Sequence, residues 1–334
     1  MKIKELLEHI RFSAELAATL EVSGWPKPGN VHRTRDYSDT RYEHFLVGSV
    51  SLGPSVELAA LKGFMVAKNR LDISKIGIGK IIKKAIFDIK KSHKGGNTHL
   101  GICLLFIPLA TAAAKTYIEI GNFSLNILQN NIRKVIRSTT PRDAISVYEA
   151  ISLVSSPHEL GEIKTLQAPD IYDKEAYMKI LKNKISLYDV MKESSSYDTI
   201  AKELVTGMKI SFNIGYKELI ETFNLTKDIN VAIVHTFLRI LSKVPDTFIA
   251  RKIGLKKVSN IKEAVKIGIE ETKWISETAE QILNLGGLTT EKSAKLLWDF
   301  DHKLQNLGED YNPGTTADLT ANSLFIALLR GLKF

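Results

Sequence analysis

From Leu100 to Ala114 the chain carries about 15 consecutive apolar or small residues and no charge. A helix that is apolar on every side has to be enclosed by other elements, since no face of it is suited to water. The run is shorter than the roughly 20 residues that span a bilayer, so it reads as a buried central helix near residues 99–115. The rest of the chain must wrap it.

Amphipathic helices supply the wrapping. Ile3, Leu6, Leu7, Ile10, Ala14, Ala17 and Leu20 recur at helical spacing over residues 2–22. Ile78, Ile81, Ile82, Ala85, Ile86 and Ile89 do the same among lysines over residues 75–91. Thr140-Pro141-Arg142-Asp143 combines an N-cap, a proline at the first helical position and an acid at the third, which predicts a helix over about 141–154. Thr40-Arg41-Tyr42-Glu43 reads as a capping box that starts a helix near Thr40, with a break at Gly53-Pro54. Further helices are expected over about 124–137, 173–183, 186–208, 209–223, 228–243, 259–275, 276–285, 289–307 and 315–331. No stretch alternates with period 2, and no internal repeat is present. The expectation is an all-α protein, one catalytic domain over residues 1–334 built as a bundle of about 12 or more helices. Residues 155–172, with Pro157, Gly161 and Pro169, are the weakest-patterned part and the expected place for a mobile connection.

Charge and cysteine content narrow the function classes. The net charge is +9 with a pI near 9.3, which suits a polyanionic partner, though lysines are dispersed along most helices. Cys103 is the one cysteine and lies in the apolar run, which excludes a disulfide framework or a cysteine-cluster zinc site. The first eight residues mix acids with apolar residues, unlike a signal peptide, so a cytoplasmic protein without a membrane partner is expected.

Chemistry concentrates in three loops. Between Gly24 and His44 there are two prolines, two glycines, four cations, three carboxylates and two histidines. Lys27, Arg33 and Arg35 beside Gly29 could surround phosphates, with glycine permitting close backbone approach. Asp36, Asp39 and Glu43 could hold a hard cation such as Mg²⁺, and His32 or His44 could move protons near neutral pH. Plainer roles compete: Thr40 and Glu43 as caps, Asp39 as a complement to a helix dipole, His44 as a core residue. A second loop, Gly95-Gly96-Asn97-Thr98-His99, leads into the buried helix, whose unpaired N–H groups form an anion site. The third, Asn312-Pro313-Gly314-Thr315-Thr316-Ala317-Asp318, precedes the last helix, with Thr315 or Thr316 as the expected cap. A fourth, weaker patch places Asp246 and Thr247 at a helix start near Arg251 and Lys252. P-loop, dinucleotide-fingerprint, His-Glu-x-x-His and Gly-x-Ser-x-Gly motifs are all missing.

Five stretches in order resemble the triphosphoribosyl-dephospho-CoA synthase family: Glu21-Val22-Ser23 through Lys27-Pro28-Gly29-Asn30, Asn97 to Gly101, Val147 to Ala150, Val244 to Thr247 with Ala250-Arg251, and Asn312 to Leu319. In the first, members associated with citrate lyase read Lys-Pro-Gly-Leu-Val-Asp-Arg. Here His32 stands at the aspartate position, as in a distinct, archaeal-type branch. The resemblance implies an all-helical enzyme that removes adenine from ATP and joins the triphosphoribosyl group to the ribose 2′-hydroxyl of dephospho-CoA or a related acceptor. It further implies ATP and dephospho-CoA-like partners, with Mg²⁺ as cofactor. On that basis Lys27, Gly29, Asn30, Arg33, Asn97, Thr98, Arg251, Asn312, Gly314, Thr315 and Thr316 are expected to bind nucleotide and phosphate. Asp36, Asp39, Glu43 and Asp318 are expected to bind metal, and His32, Asp36, Asp39 and Asp318 to serve catalysis. A homodimer is compatible with this. Two rival readings are a Mg²⁺-dependent hydrolase of nucleotide or ADP-ribose glycosidic bonds, and a basic helical nucleic-acid-binding protein. The latter is disfavoured, because no helix-turn-helix or aromatic-interleaved basic run is present.

Overall fold

A computed structural model describes residues 1–156, 160–162 and 168–334, and among these the chain is helical with no strand. The first half contains α1 (Ile3–Ser23), α2 (Tyr42–Ser51), α3 (Gly53–Ala67), α4 (Ile78–Ser92), α5 (Leu100–Ile120), α6 (Leu125–Arg137) and α7 (Pro141–Ser152). The second contains α8 (Ala176–Lys182), α9 (Leu187–Ser194), α10 (Thr199–Thr206), α11 (Tyr216–Thr226), α12 (Ile229–Lys243), α13 (Thr247–Leu255), α14 (Ile261–Asn284), α15 (Glu291–Leu307) and α16 (Gly314–Leu329). The all-α expectation holds. The expected mobile connection lies partly outside the described residues; of its described flanks, the Glu162 N–H donates to the Ser259 carbonyl at 2.8 Å and the Tyr172 hydroxyl to the Ser155 carbonyl at 2.7 Å.

The apolar run is the centre, as its composition demands. Its helix, α5, continues to Ile120 and is 21 residues long, enough by length and composition to cross a membrane, as is the Tyr42–Ala67 stretch that breaks at Leu52. Enclosure, not shortness, marks α5 as a core element: α1, α3, α4, α6 and α16 pack around it, and Leu105, Phe106 and Ala110 have no exposed surface. α16 is a second buried helix, with Leu324, Phe325 and Ile326 fully covered, and Phe106 meets Phe325 at a ring separation of 4.7 Å. A separate apolar cluster of Phe237, Leu241, Ile253, Ile275, Phe300 and Leu304 joins α12 to α15.

Local signals were partly right. Thr140 and Asp143 form the expected box at the start of α7. The box at Thr40 does not form: α2 begins at Tyr42, whose N–H donates to Asp36 Oδ1 at 2.8 Å, while His44 Nδ1 accepts from the Arg41 N–H at 3.2 Å. A single helix over 186–208 is also overturned. Asp198 accepts from the Ala201 N–H at 2.8 Å and so starts a new helix, α10, after α9 has ended at Ser194. The two helices expected over 259–285 are one, α14. The break before Asp198 matters most, because it aims the N-terminus of α10 into the interior.

Candidate active site

Four helix N-termini, those of α5, α10, α13 and α16, face one cavity of about 400 Å³, within the range of small-molecule sites. Each begins with backbone N–H groups lacking an intrahelical partner, and Asn97, Asp198, Asp246 and Asp318 accept from several of them. Asp198, Asp318 and Asp39 line this cavity, with Glu21, Arg251 and Lys252. Val147, Tyr148 and Ile151 of α7 and Val190 and Met191 of α9 supply apolar lining.

Asp318 lies one turn into α16 and accepts from the Ile102 N–H at the start of α5. It thus serves the start of the neighbouring helix. Burial first, then the charges of Glu21, Asp246 and Asp198, push its carboxyl well above the usual carboxylate range. The packing is close: a Cβ at Gly101 would lie 1.9 Å from Asp318 Oδ2. Gly101→Ala should therefore displace the carboxylate and lower turnover on the order of 100-fold, the scale of a misplacement of about 1 Å. Steady-state kinetics beside a thermal melt checks this, and unchanged kcat would refute it.

Asp246 ties two of the N-termini together. Its Oδ1 accepts from the Phe248 and Ile249 N–H groups at 2.9 and 3.1 Å, and its Oδ2 from the Thr316 N–H and hydroxyl at 2.7 and 2.8 Å. Thr316 is thus committed to Asp246 and does not line the cavity, whereas Gly314, Thr315 and Asn312 do. Neither threonine caps α16, whose N-cap position is Pro313.

The Gly24–His44 loop divides between wall and scaffold. Asn30, Tyr37, Asp39 and Thr40 line the cavity. Lys27 does not: it is fully buried behind the wall, donating to Glu21 and to Asn30 Oδ1 (2.8 Å), while Asn30 Nδ2 donates to Asn312 Oδ1 at 2.8 Å. Burial pushes the Lys27 ammonium down and the Glu21 carboxyl up, and their contact opposes both shifts. Gly29, with φ of 69°, approaches protein instead of a ligand: a Cβ would lie 2.7 Å from Leu304 Cβ. Its N–H donates to Asp301 Oδ1 at 3.0 Å. His32, expected to be catalytic, is fully buried with its Nε2 3.2 Å from Asp301 Oδ2, so both residues clip the loop to α15. Arg33 is exposed and donates to the Ser23 carbonyl at 2.6 Å. Asp36 is spent on the start of α2, and Glu43 is exposed in its first turn; neither lines the cavity.

The structure therefore gathers Asn30, Asp39, Asn97, Thr98, Arg251, Asn312, Gly314, Thr315 and Asp318, and leaves Lys27, Gly29, His32, Arg33, Asp36, Glu43 and Thr316 outside the lining. The expected metal set of Asp36, Asp39, Glu43 and Asp318 is accordingly divided, and among the described residues no three His, Cys, Asp or Glu side chains converge as a ready cage. Sequence reasoning missed Glu21, inside a quoted motif but read as helix, and Asp198, whose signal was the polar run Ser194-Ser195-Ser196 before Asp198-Thr199.

Comparison with known proteins identifies the family. The model of the ATP:dephospho-CoA triphosphoribosyl transferase family matches residues 7–333. A crystal structure from Archaeoglobus fulgidus, of a protein assigned by inference as a triphosphoribosyl-dephospho-CoA synthase, superposes with a TM-score of 0.55 at 30% identity, covering 84% of this chain and 99% of that one. No curated protein sequence matches. The chain belongs to the ATP:dephospho-CoA triphosphoribosyl transferase family and is an all-α transferase.

Proposed function

We propose that the cavity cleaves the bond between ribose C1′ and adenine N9 of ATP and transfers the 5-triphosphoribosyl group to the ribose 2′-hydroxyl of dephospho-CoA or a close relative. The observation that carries this reading is the convergence of four helix N-termini and two cations on a cavity that also holds a protonatable carboxylic acid, Asp318. The triphosphate suits the wall that carries Arg251 and Lys252, because cations offset its charge. Anchoring that remote group orients C1′ for reaction.

As the C1′–N9 bond breaks, the purine gains electron density and the sugar becomes oxocarbenium-like. Asp318, whose carboxyl its buried, acidic surroundings push well above the usual carboxylate range, is the group suited to give a proton to the leaving purine. Its conjugate carboxylate then faces the cationic sugar and can take the proton that the incoming 2′-hydroxyl loses as the new C1′–O bond forms. Glu21, charge-balanced by Lys27, adds a second carboxylate on the same wall.

Mg²⁺ fits this donor set. Asp198 and Asp39, both lining the cavity, offer hard oxygen ligands of the kind Mg²⁺ takes, and Asp318 stays outside the set as the proton donor. Either carboxylate would hold the ion, whose chemistry is to neutralise triphosphate charge, with water and phosphate oxygens completing its shell.

Incubation with ATP, Mg²⁺ and dephospho-CoA should release free adenine and yield an acceptor heavier by one triphosphoribosyl group, both read by mass spectrometry. Adenine release that proceeds equally without dephospho-CoA would identify a hydrolase instead.

A further inference from the structure

Thr98, at the entry to α5, lines both the main cavity and an adjoining one of about 360 Å³, and its hydroxyl sits between two imidazoles. His99 Nδ1 lies 2.7 Å from Thr98 Oγ1, and His93 Nε2 lies 3.2 Å from the same oxygen. The proton positions follow from the outer ends of this chain. The Ser49 hydroxyl donates to the Phe45 carbonyl at 2.8 Å, so its oxygen, 3.3 Å from His99 Nε2, must accept there. His99 therefore carries its proton on Nε2 and presents Nδ1 as an acceptor. At the other end the Gly95 N–H donates to His93 Nδ1 at 3.1 Å, so His93 is protonated on Nε2 and donates to Thr98. A hydroxyl has one proton, and that of Thr98 goes to His99.

Both rings stay neutral in this network. His99 is fully buried, and burial lowers it to about 3. His93 is lowered by burial and by His44, stacked on it at 5.1 Å. With its proton committed and one lone pair occupied, Thr98 Oγ1 retains only a single lone pair for a ligand.

We infer that Thr98 is an acceptor-only hydroxyl that selects a substrate O–H or N–H donor, either a ribosyl hydroxyl or the purine amino group, and that it does not bind phosphate. This reverses its sequence-based assignment as a phosphate donor, because a phosphate oxygen there would face a lone pair. The inference deepens the triphosphoribosyl-transfer reading and rests on it for the identity of the donor.

Two measurements test it. Wild-type protein and Thr98→Val are compared on ATP, purine riboside triphosphate (no 6-amino group), and 2′-deoxy- and 3′-deoxy-ATP, with dephospho-CoA as acceptor. One analogue should lose on the order of 10- to 100-fold in kcat/KM relative to ATP with wild type, and Thr98→Val should erase that ratio while Thr98→Ser retains it. The analogue identifies the group: the purine riboside points to the amino group, a deoxynucleotide to a hydroxyl. Ratios identical in wild type and Thr98→Val would overturn the inference. Absence of any adenine release by wild type would instead remove the transfer reading. Should Thr98→Val not fold, ¹⁵N-histidine NMR on the wild-type protein still decides: His99 should show an unprotonated Nδ1 and protonated Nε2 from pH 6 to 8, and the opposite tautomer or an imidazolium would overturn the assignment.

Discussion

Asp318→Asn should lower adenine release by about 10²- to 10⁴-fold, the usual contribution of a positioned acid or base, while the helical circular-dichroism signal persists. Asparagine keeps the shape and the acceptor for the Ile102 N–H, so the loss isolates proton transfer from packing. The same substitution should raise stability at neutral pH. Burial and three neighbouring carboxylates hold the folded-state pKa of Asp318 above its unfolded value. The folded state therefore binds the proton more tightly, and Asp318 opposes folding more strongly as pH rises through its folded pKa. The stabilising effect of asparagine should be present at pH 8 and shrink as pH falls toward 4, near the unfolded value. Thermal melts across that range read this directly. Near-normal turnover would falsify the catalytic role of Asp318, and a less stable variant at pH 8 would contradict its electrostatic account. Greater stability with lost activity is the pattern expected where function holds an ionisable group in an unfavourable place.

Removal of Lys27 should have the largest effect on stability. Lys27 has no exposed surface and Glu21 only 2%, so Lys27→Met leaves a carboxylate buried without its partner. Breaking such a pair from one side costs about 3–5 kcal/mol, whereas replacing both members by neutral groups is often neutral. Denaturant titration should thus show a severe loss for Lys27→Met and a large recovery for the Glu21→Gln, Lys27→Met double variant. Turnover should not recover with it, because Glu21 lines the cavity. Equal stability of the single and double variants would mean that the pair contributes nothing beyond packing. Full activity of the double variant would remove Glu21 from the site.

These two residues show how far the sequence could be read. Asp318 was identified from a polar turn before an apolar helix, and it does line the cavity. Lys27 was identified from a charged, proline-bounded loop and does not. Its sequence context was the same whether its ammonium met a phosphate or a glutamate, and Glu21, six positions away on α1, decided which. His32 is the parallel case: an imidazole in a polar loop was read as acid or base, but Asp301, 269 positions later, engages it as a structural clip. Asp198 was overlooked because local propensity allowed one helix through residues 186–208, and the break became visible only with its cap.

The sequence by itself determined the helical class, the central position of the helix near residues 99–115 and the three loops that hold most of the chemistry. Those properties follow from local periodicity, cap chemistry and the exclusion of an all-apolar segment from water. Only the tertiary structure decided which members of each loop face the ligand, which stand behind the wall, and that Thr98 can accept but not donate. Those outcomes depend on pairings across tens to hundreds of residues, where a buried charge or a single hydroxyl proton is committed to a partner that no local pattern names.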